Sequence, residues 1–183
     1  MGIKYKLKLK DLKFEYLKEY FIPFLKYFKK TKKIENYSDL KEFIQKKSAW
    51  VSQVTLYGYL KTRMGAKHIL MFEDKNFLKS INIAKWHIYT ASLIDCTLFC
   101  FSYLYKEKEF FKTDEANKIF FSILNNEKAN GMISEAYNIG STEFNQRYTQ
   151  INWNTHYNTN PFEYSCNQLY HWSPIAEELK KLD

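Results

Sequence analysis

The sequence predicts an all-α fold: an irregular helical bundle of about six or seven helices around a central helix near residues 75–105. Three observations predict it. Gly and Pro are scarce, five and three in 183 residues, whereas all-β chains need frequent turn residues. Apolar residues recur at steps of three and four over two long stretches, which is helical spacing. Two segments near the C-terminus carry the grammar of helix starts. A chain of this length supports one domain with a sizeable core and leaves little for a second. At 45% hydrophobic and 19% aromatic residues, it is not a disordered chain.

The elements follow in order. Lys4–Lys10 alternates Lys with Tyr or Leu, an extended pattern. Residues 11–30 read as a helix through Leu17, Tyr20 or Phe21, Phe24 and Phe28, kinked or split at Pro23. Thr31–Tyr37 is a linker. Ser38 is expected to cap a helix running to Met64, with Leu40, Phe43, Ile44, Trp50 or Val51, Val54 and Tyr57 as its stripe. Gly65 ends it, and Arg63 suits the negative end of the helix dipole. Gly58, inside it, is expected to mark a close helix crossing.

Asp74 caps the next helix. Phe77, Ile81, Ala84, Ile88, Ala91, Asp95 and Leu98 run along one face of it, and its second half is apolar almost all round. That makes it the centre of the bundle. Ile88–Tyr105 carries a single charge, Asp95, over 18 residues. A lone span does not favour a central acid, so a buried core helix is the better reading than a membrane span. A helix from Thr113 to Asn126 follows. Residues 127–140 are weakly patterned and are expected to be mostly irregular, with Ser141 capping a short helix to Ile151. Asn160-Pro161-Phe162-Glu163 and Ser173-Pro174-Ile175-Ala176-Glu177 open the last two helices, with a cap, an early Pro and an acid in the first turn.

Charge divides the chain. Residues 1–33 hold 11 Lys against three acids, a net +8, and residues 34–183 balance at zero. The basic end also carries eight aromatics. This predicts a basic aromatic arm (residues 1–33) attached to a single helical domain (residues 38–183). Lys13, Phe21, Phe24, Phe28, Lys29 and Lys30 are the expected membrane-contacting residues, since an anionic bilayer answers lysines and aromatics together. A nucleic-acid arm fits less well, because residues 1–33 contain no Arg and no known module pattern. The remaining alternative is a solvated helix packed on the body by its aromatic side. No cleavable signal peptide is apparent. Lys6 stands where a myristoylation signal needs Ser or Thr.

No catalytic motif stands out in the body. The nucleophile-elbow, phosphate-loop, dinucleotide-loop and zinc patterns are absent. Cys96, Cys100 and Cys166 are odd in number and read as reduced thiols. No cofactor and no metal is expected. Asp95, a charge on the most apolar stripe, must be paired or protonated. Arg63 and Arg147 are the only two Arg beside 26 Lys, and one of them is expected to pair with Asp95 as a planar bidentate donor. Tyr59, Lys61 and Arg63 near the end of one helix, and Lys85 beside Trp86 and His87, complete the candidate binding residues. At each of them ordinary packing is the competing reading.

Three stretches carry a family resemblance: Ser48–Gly65 (SAWVSQVTLYGYLKTRMG), Phe72-Glu73-Asp74 through Ser80–Trp86 with Asp95 downstream, and Ile151-Asn152-Trp153 with Ser173–Asp183. They resemble an uncharacterised family of helical proteins of alphaproteobacteria whose members often carry the label "esterase". The resemblance covers about four-fifths of the chain from Ser38 onward and leaves the basic arm outside. It implies a bacterial, non-secreted helical protein and an end short of the family pattern, which runs on past a Leu-Asp like Leu182-Asp183. In plan, though not in motif, the chain is also similar to the helical assembly chaperones of the cytochrome bc1 complex, which serve membrane clients.

The expected function is a non-enzymatic, membrane-peripheral binding or assembly protein, cytoplasmic and peripheral to the inner membrane. Its expected partner is an anionic membrane surface or a membrane-associated protein. The alternatives are a small hydrolase of lipid-like esters, with Ser52, Ser92 or Ser141 as nucleophile, and a nucleic-acid-binding protein acting through the arm.

Overall fold

The computed structural model describes residues 33–65, 72–107 and 112–180. The chain divides after Ile34, and the described helices belong to the unit Glu35–Asp183. The fold is all-α, with no strand among the described residues. Among the described residues five helices have ten or more residues: α1 (Tyr37–Met64), α2 (Lys75–Glu107), α3 (Asp114–Ala129), α4 (Ser134–Gln150) and α5 (Glu163–Trp172). A 3₁₀ turn (His156–Asn158) and a four-residue helix α6 (Glu177–Lys180) complete the described elements. The extended segment and the helix expected over residues 4–30 lie outside the described residues.

The centre is where the sequence places it. All seven residues of the expected stripe, Phe77 through Leu98, are buried. Asp74 Oδ1 accepts from the N–H groups of Asn76 (2.7 Å) and Phe77 (3.3 Å), which starts the helix. Helices α1, α3, α4, α5 and the 3₁₀ turn all pack on α2. By length and composition α2 could cross a membrane, yet 67% of its most apolar window is buried in protein. It is a core helix, and its apolar run is spent on neighbouring helices.

Two clusters form the core. One joins Leu93, Ile94, Leu98 and Phe101 of α2 to Phe120, Ile123 and Leu124 of α3 and to Phe144 of α4. Phe120 and Phe144 stack at 3.8 Å between centroids. The other joins Leu56 and Leu60 of α1 to Phe77, Ile81, Ala84 and Ile88, with Ile175 covering them. Each fully buried side chain of this size stabilises the fold by about 2 kcal/mol before its ordering entropy.

Several sequence expectations are corrected. Helix α1 is capped by Asn36, whose side chain accepts from Asp39 N–H at 2.9 Å, not by Ser38. Its buried stripe is Leu40, Ile44, Ser48, Ser52, Leu56 and Leu60, strictly every fourth residue. Such a stripe advances about 40° per step and winds round the helix. It winds because the N-terminal half packs between α2 and α3, where Gln45 Nε2 donates to Glu127 at 2.7 Å, while the C-terminal half packs on the start of α2. Of the expected stripe only Leu40 and Ile44 are buried; Phe43, Trp50, Val51, Val54 and Tyr57 are exposed.

The close helix crossing is at Gly140 and not at Gly58. A Cβ at Gly58 would meet nothing within 4 Å, whereas one at Gly140 would overlap the Thr90 methyl of α2. Gly140 lies within α4, which runs unbroken from Ser134 through residues expected to be irregular. Its chain entry is a turn at Gly131, whose φ of +94° suits a residue without Cβ. Gly65 ends α1 as expected, at φ +54° with its N–H donating to Lys61 C=O.

Candidate functional site

Asp95 is the organising residue of the second half of α2. It is 1% exposed. Its Oδ2 accepts from the backbone N–H of Ser165 at 2.7 Å. Ser165 is the third residue of α5, so the carboxylate does for α5 what an N-cap side chain does, but from another helix. The expected start at Asn160-Pro161 does not open the helix. Asn160 turns the chain at φ +54°, and α5 begins at Glu163 with no side-chain bond from its own cap residue. The expected Asp95–Arg pair does not form. The partner is a main-chain donor at a helix end, where the dipole favours a negative charge. Burial nevertheless pushes the Asp95 carboxyl up to about 6, against the Ser165 hydrogen bonds and the positive field of Arg147.

Arg147 lies near this carboxylate but is engaged elsewhere. Its guanidinium sits 4.0 Å over the Tyr164 ring of α5, and its Nε lies 3.6 Å from Glu143 of its own helix. Arg147 thus ties α4 to α5 through an aromatic face. Glu143, Gln146, Arg147 and Gln150 form one wall of a pocket of about 320 Å³, with Leu98 of α2 and His156 of the 3₁₀ turn on other sides. Burial and the Arg147 charge both hold His156 below the ordinary imidazole value. Burial and the nearby Glu143 raise Tyr164 to about 12. The wall offers amide, guanidinium and carboxylate groups without pairing a nucleophile to a base.

The other candidate residues are not brought to this place. Arg63 lies over the Tyr59 ring at 5.4 Å, at the C-terminal end of α1, and Lys61 is exposed in the same turn. Lys85 lies over Trp86 at 4.5 Å. It borders a smaller pocket of about 150 Å³ with Ser52, Gln53, Tyr89 and Glu127. Ten residues separate Lys85 from Asp95, about 15 Å along α2. The six candidates therefore fall in three places: Tyr59, Lys61 and Arg63 at the end of α1, Lys85 alone on α2, and Asp95 with Arg147. Lys13, Phe21, Phe24, Phe28, Lys29 and Lys30 lie outside the described residues.

Two features extend or overturn the sequence reading, which names His87 only beside Trp86 and expects the apolar residues of α1 to be buried. His87 is buried and stacks on Trp172 of α5 at 3.5 Å with an interplanar angle of 4°. Burial, partly opposed by Glu135, lowers its pKa. The sequence places His87 beside Trp86 but carries no sign of Trp172, 85 residues on. The second feature is the outward face of α1. Trp50 is 49% exposed, Val54 51%, Tyr57 42% and Phe43 37%. Lys47 Nζ lies 5.8 Å from both the Phe43 and Trp50 rings.

The three serines considered as nucleophiles are helix residues. Ser52 and Ser141 donate to carbonyls of their own helices, Ala49 at 3.0 Å and Tyr137 at 2.8 Å. The carbonyl of the buried Ser92 faces Ser48 Oγ at 3.4 Å, where α1 and α2 meet through small residues. The three cysteines are free thiols. Among the described residues no group of three or more His, Cys, Asp or Glu is placed to hold a metal ion. No family model, no curated protein and no solved structure matches the chain.

Proposed function

We propose that the chain is a non-enzymatic, membrane-peripheral binding or assembly protein of the bacterial cytoplasm, working at the inner membrane. The observation that carries this reading is the segregation of charge: the whole net +8 lies in residues 1–33 together with eight aromatics, on a body of zero net charge. A single surface that answers both is an anionic bilayer, or a membrane protein held at one. The bacterial and cytoplasmic assignment rests on the family resemblance. The hydroxyls of Ser52 and Ser141, bonded within their own helices, favour binding over hydrolysis.

The test is sedimentation of the full chain with vesicles. Binding is expected to vesicles of phosphatidylcholine with phosphatidylglycerol and not to phosphatidylcholine alone. Moderate salt weakens it without abolishing it, because the aromatic part is insensitive to screening. Equal sedimentation with both vesicles, or with neither, contradicts the reading.

A further inference from the structure

We infer that the outward face of α1 is a second membrane-contacting surface, carried by the folded body and independent of the basic arm. This rests on the membrane-peripheral reading and adds to it where the body touches the bilayer. Phe43, Lys47, Trp50, Val54, Tyr57 and Lys61 fall within about 80° of arc at 3.6 residues per turn, in a row about 27 Å long. The buried stripe of α1 lies on other sides of the helix, so the row faces away from the core. A helix that packs one side on a core normally presents polar residues on the other. Here the outer side presents Trp, Val, Tyr and Phe.

The charges on α1 identify the occupant. From Phe43 to Met64 the helix holds Lys46, Lys47, Lys61 and Arg63 and no acid. Lys46 pairs with Glu42 one turn back, while Lys47 and Lys61 lie in the apolar row itself. A second copy laid along this row would bury Lys47 and Lys61 in an apolar seam where residues 43–64 offer no acid to pair with them, which is unfavourable. An anionic bilayer accepts both components: Trp and Tyr settle at the headgroup level, and Lys reaches the phosphates with its stem along the apolar surface. The arm has the same composition of lysine and aromatics. Two segments of one character, one at the terminus and one on a rigid helix, would hold the body in a fixed orientation on the surface.

The experiment uses the full chain and vesicles of phosphatidylcholine with phosphatidylglycerol. Trp50→Ser with Val54→Ser is expected to weaken vesicle partitioning about tenfold, while the thermal midpoint and the far-UV spectrum stay unchanged because both side chains are exposed. As a second readout, vesicles are expected to shift tryptophan emission to the blue. Trp50→Phe abolishes that shift while leaving binding largely intact. If the double variant partitions like the wild type while Lys29→Gln with Lys30→Gln weakens binding, the α1 face is not a contact and the membrane reading stands. If the wild type binds no anionic vesicle, both fall. If the wild type is a dimer in solution and the double variant a monomer with unchanged partitioning, the face belongs to a second copy and the inference is overturned.

Discussion

At Asp95 two effects oppose each other, and their balance is measurable. The carboxylate caps α5 through Ser165 N–H, which favours the charged form. Burial favours the neutral form and wins, raising the group from 3.8 to about 6. Between those values the folded chain binds more protons than the unfolded one. The contribution of this group to stability is therefore fully present below the ordinary carboxyl value and lost as pH rises through about 6. The displacement corresponds to about 3 kcal/mol. Asn keeps an acceptor for Ser165 N–H and removes the buried charge, so Asp95→Asn is expected to match or exceed the wild type in thermal midpoint at pH 8. Its advantage should vanish by pH 4, where Asp95 is itself neutral. Asp95→Leu loses the cap and is expected to be destabilised at both pH values. A large loss in Asp95→Asn at pH 8 would mean that the charge, not the acceptor, holds α5. The burial of Asp95 is legible in the sequence, because a step of three from Ile88 to Ala91 and a step of four from Ala91 reach it. Its partner is not, because a backbone N–H leaves no mark in the sequence, and Arg147 lies near enough to act on the charge without bonding it.

Among the elements, α4 depends on a missing side chain. Gly140 sits against Thr90, so that any Cβ overlaps the Thr90 methyl. Gly140→Ala gains about 1 kcal/mol of helix propensity, but the overlap in a packed crossing costs about 1–3 kcal/mol. The net expectation is a lower midpoint in urea or thermal unfolding. Thr90→Ser removes the methyl and keeps the hydroxyl that donates to Trp86 C=O at 2.8 Å. In Gly140→Ala with Thr90→Ser, stability is expected to return to at least that of Thr90→Ser alone, a coupling that a double-mutant cycle reads directly. Equal effects of Gly140→Ala in both backgrounds would show that the crossing is not tight. The same helix departs from the sequence reading: residues 127–140 look weakly patterned, yet the i, i+4 series Ala136, Gly140, Phe144 is the buried face of a helix. On α1 the error has the opposite source. The most apolar residues suggest the stripe, but the buried one runs through Ser48 and Ser52, small enough for two helices to approach.

Over the whole molecule, the class of fold and the central helix are legible because both rest on long periodic runs. The connection between distant parts is not, since the Tyr164 ring under Arg147 and the Trp172 ring on His87 are tertiary meetings of residues far apart in sequence. The division of charge is legible too, and it bears on how the chain folds. The chain divides after Ile34. The two core clusters draw on residues from Leu40 to Ile175. The first helix of the body is capped from within the body, by Asn36. A chain of residues 34–183 retains every residue of these two described clusters and the first cap, and it carries no net charge. It is expected to show a far-UV spectrum dominated by helix and one cooperative thermal transition, with a midpoint within a few degrees of the full chain. Loss of the transition on removing residues 1–33 would mean that the arm completes the core rather than extending from it.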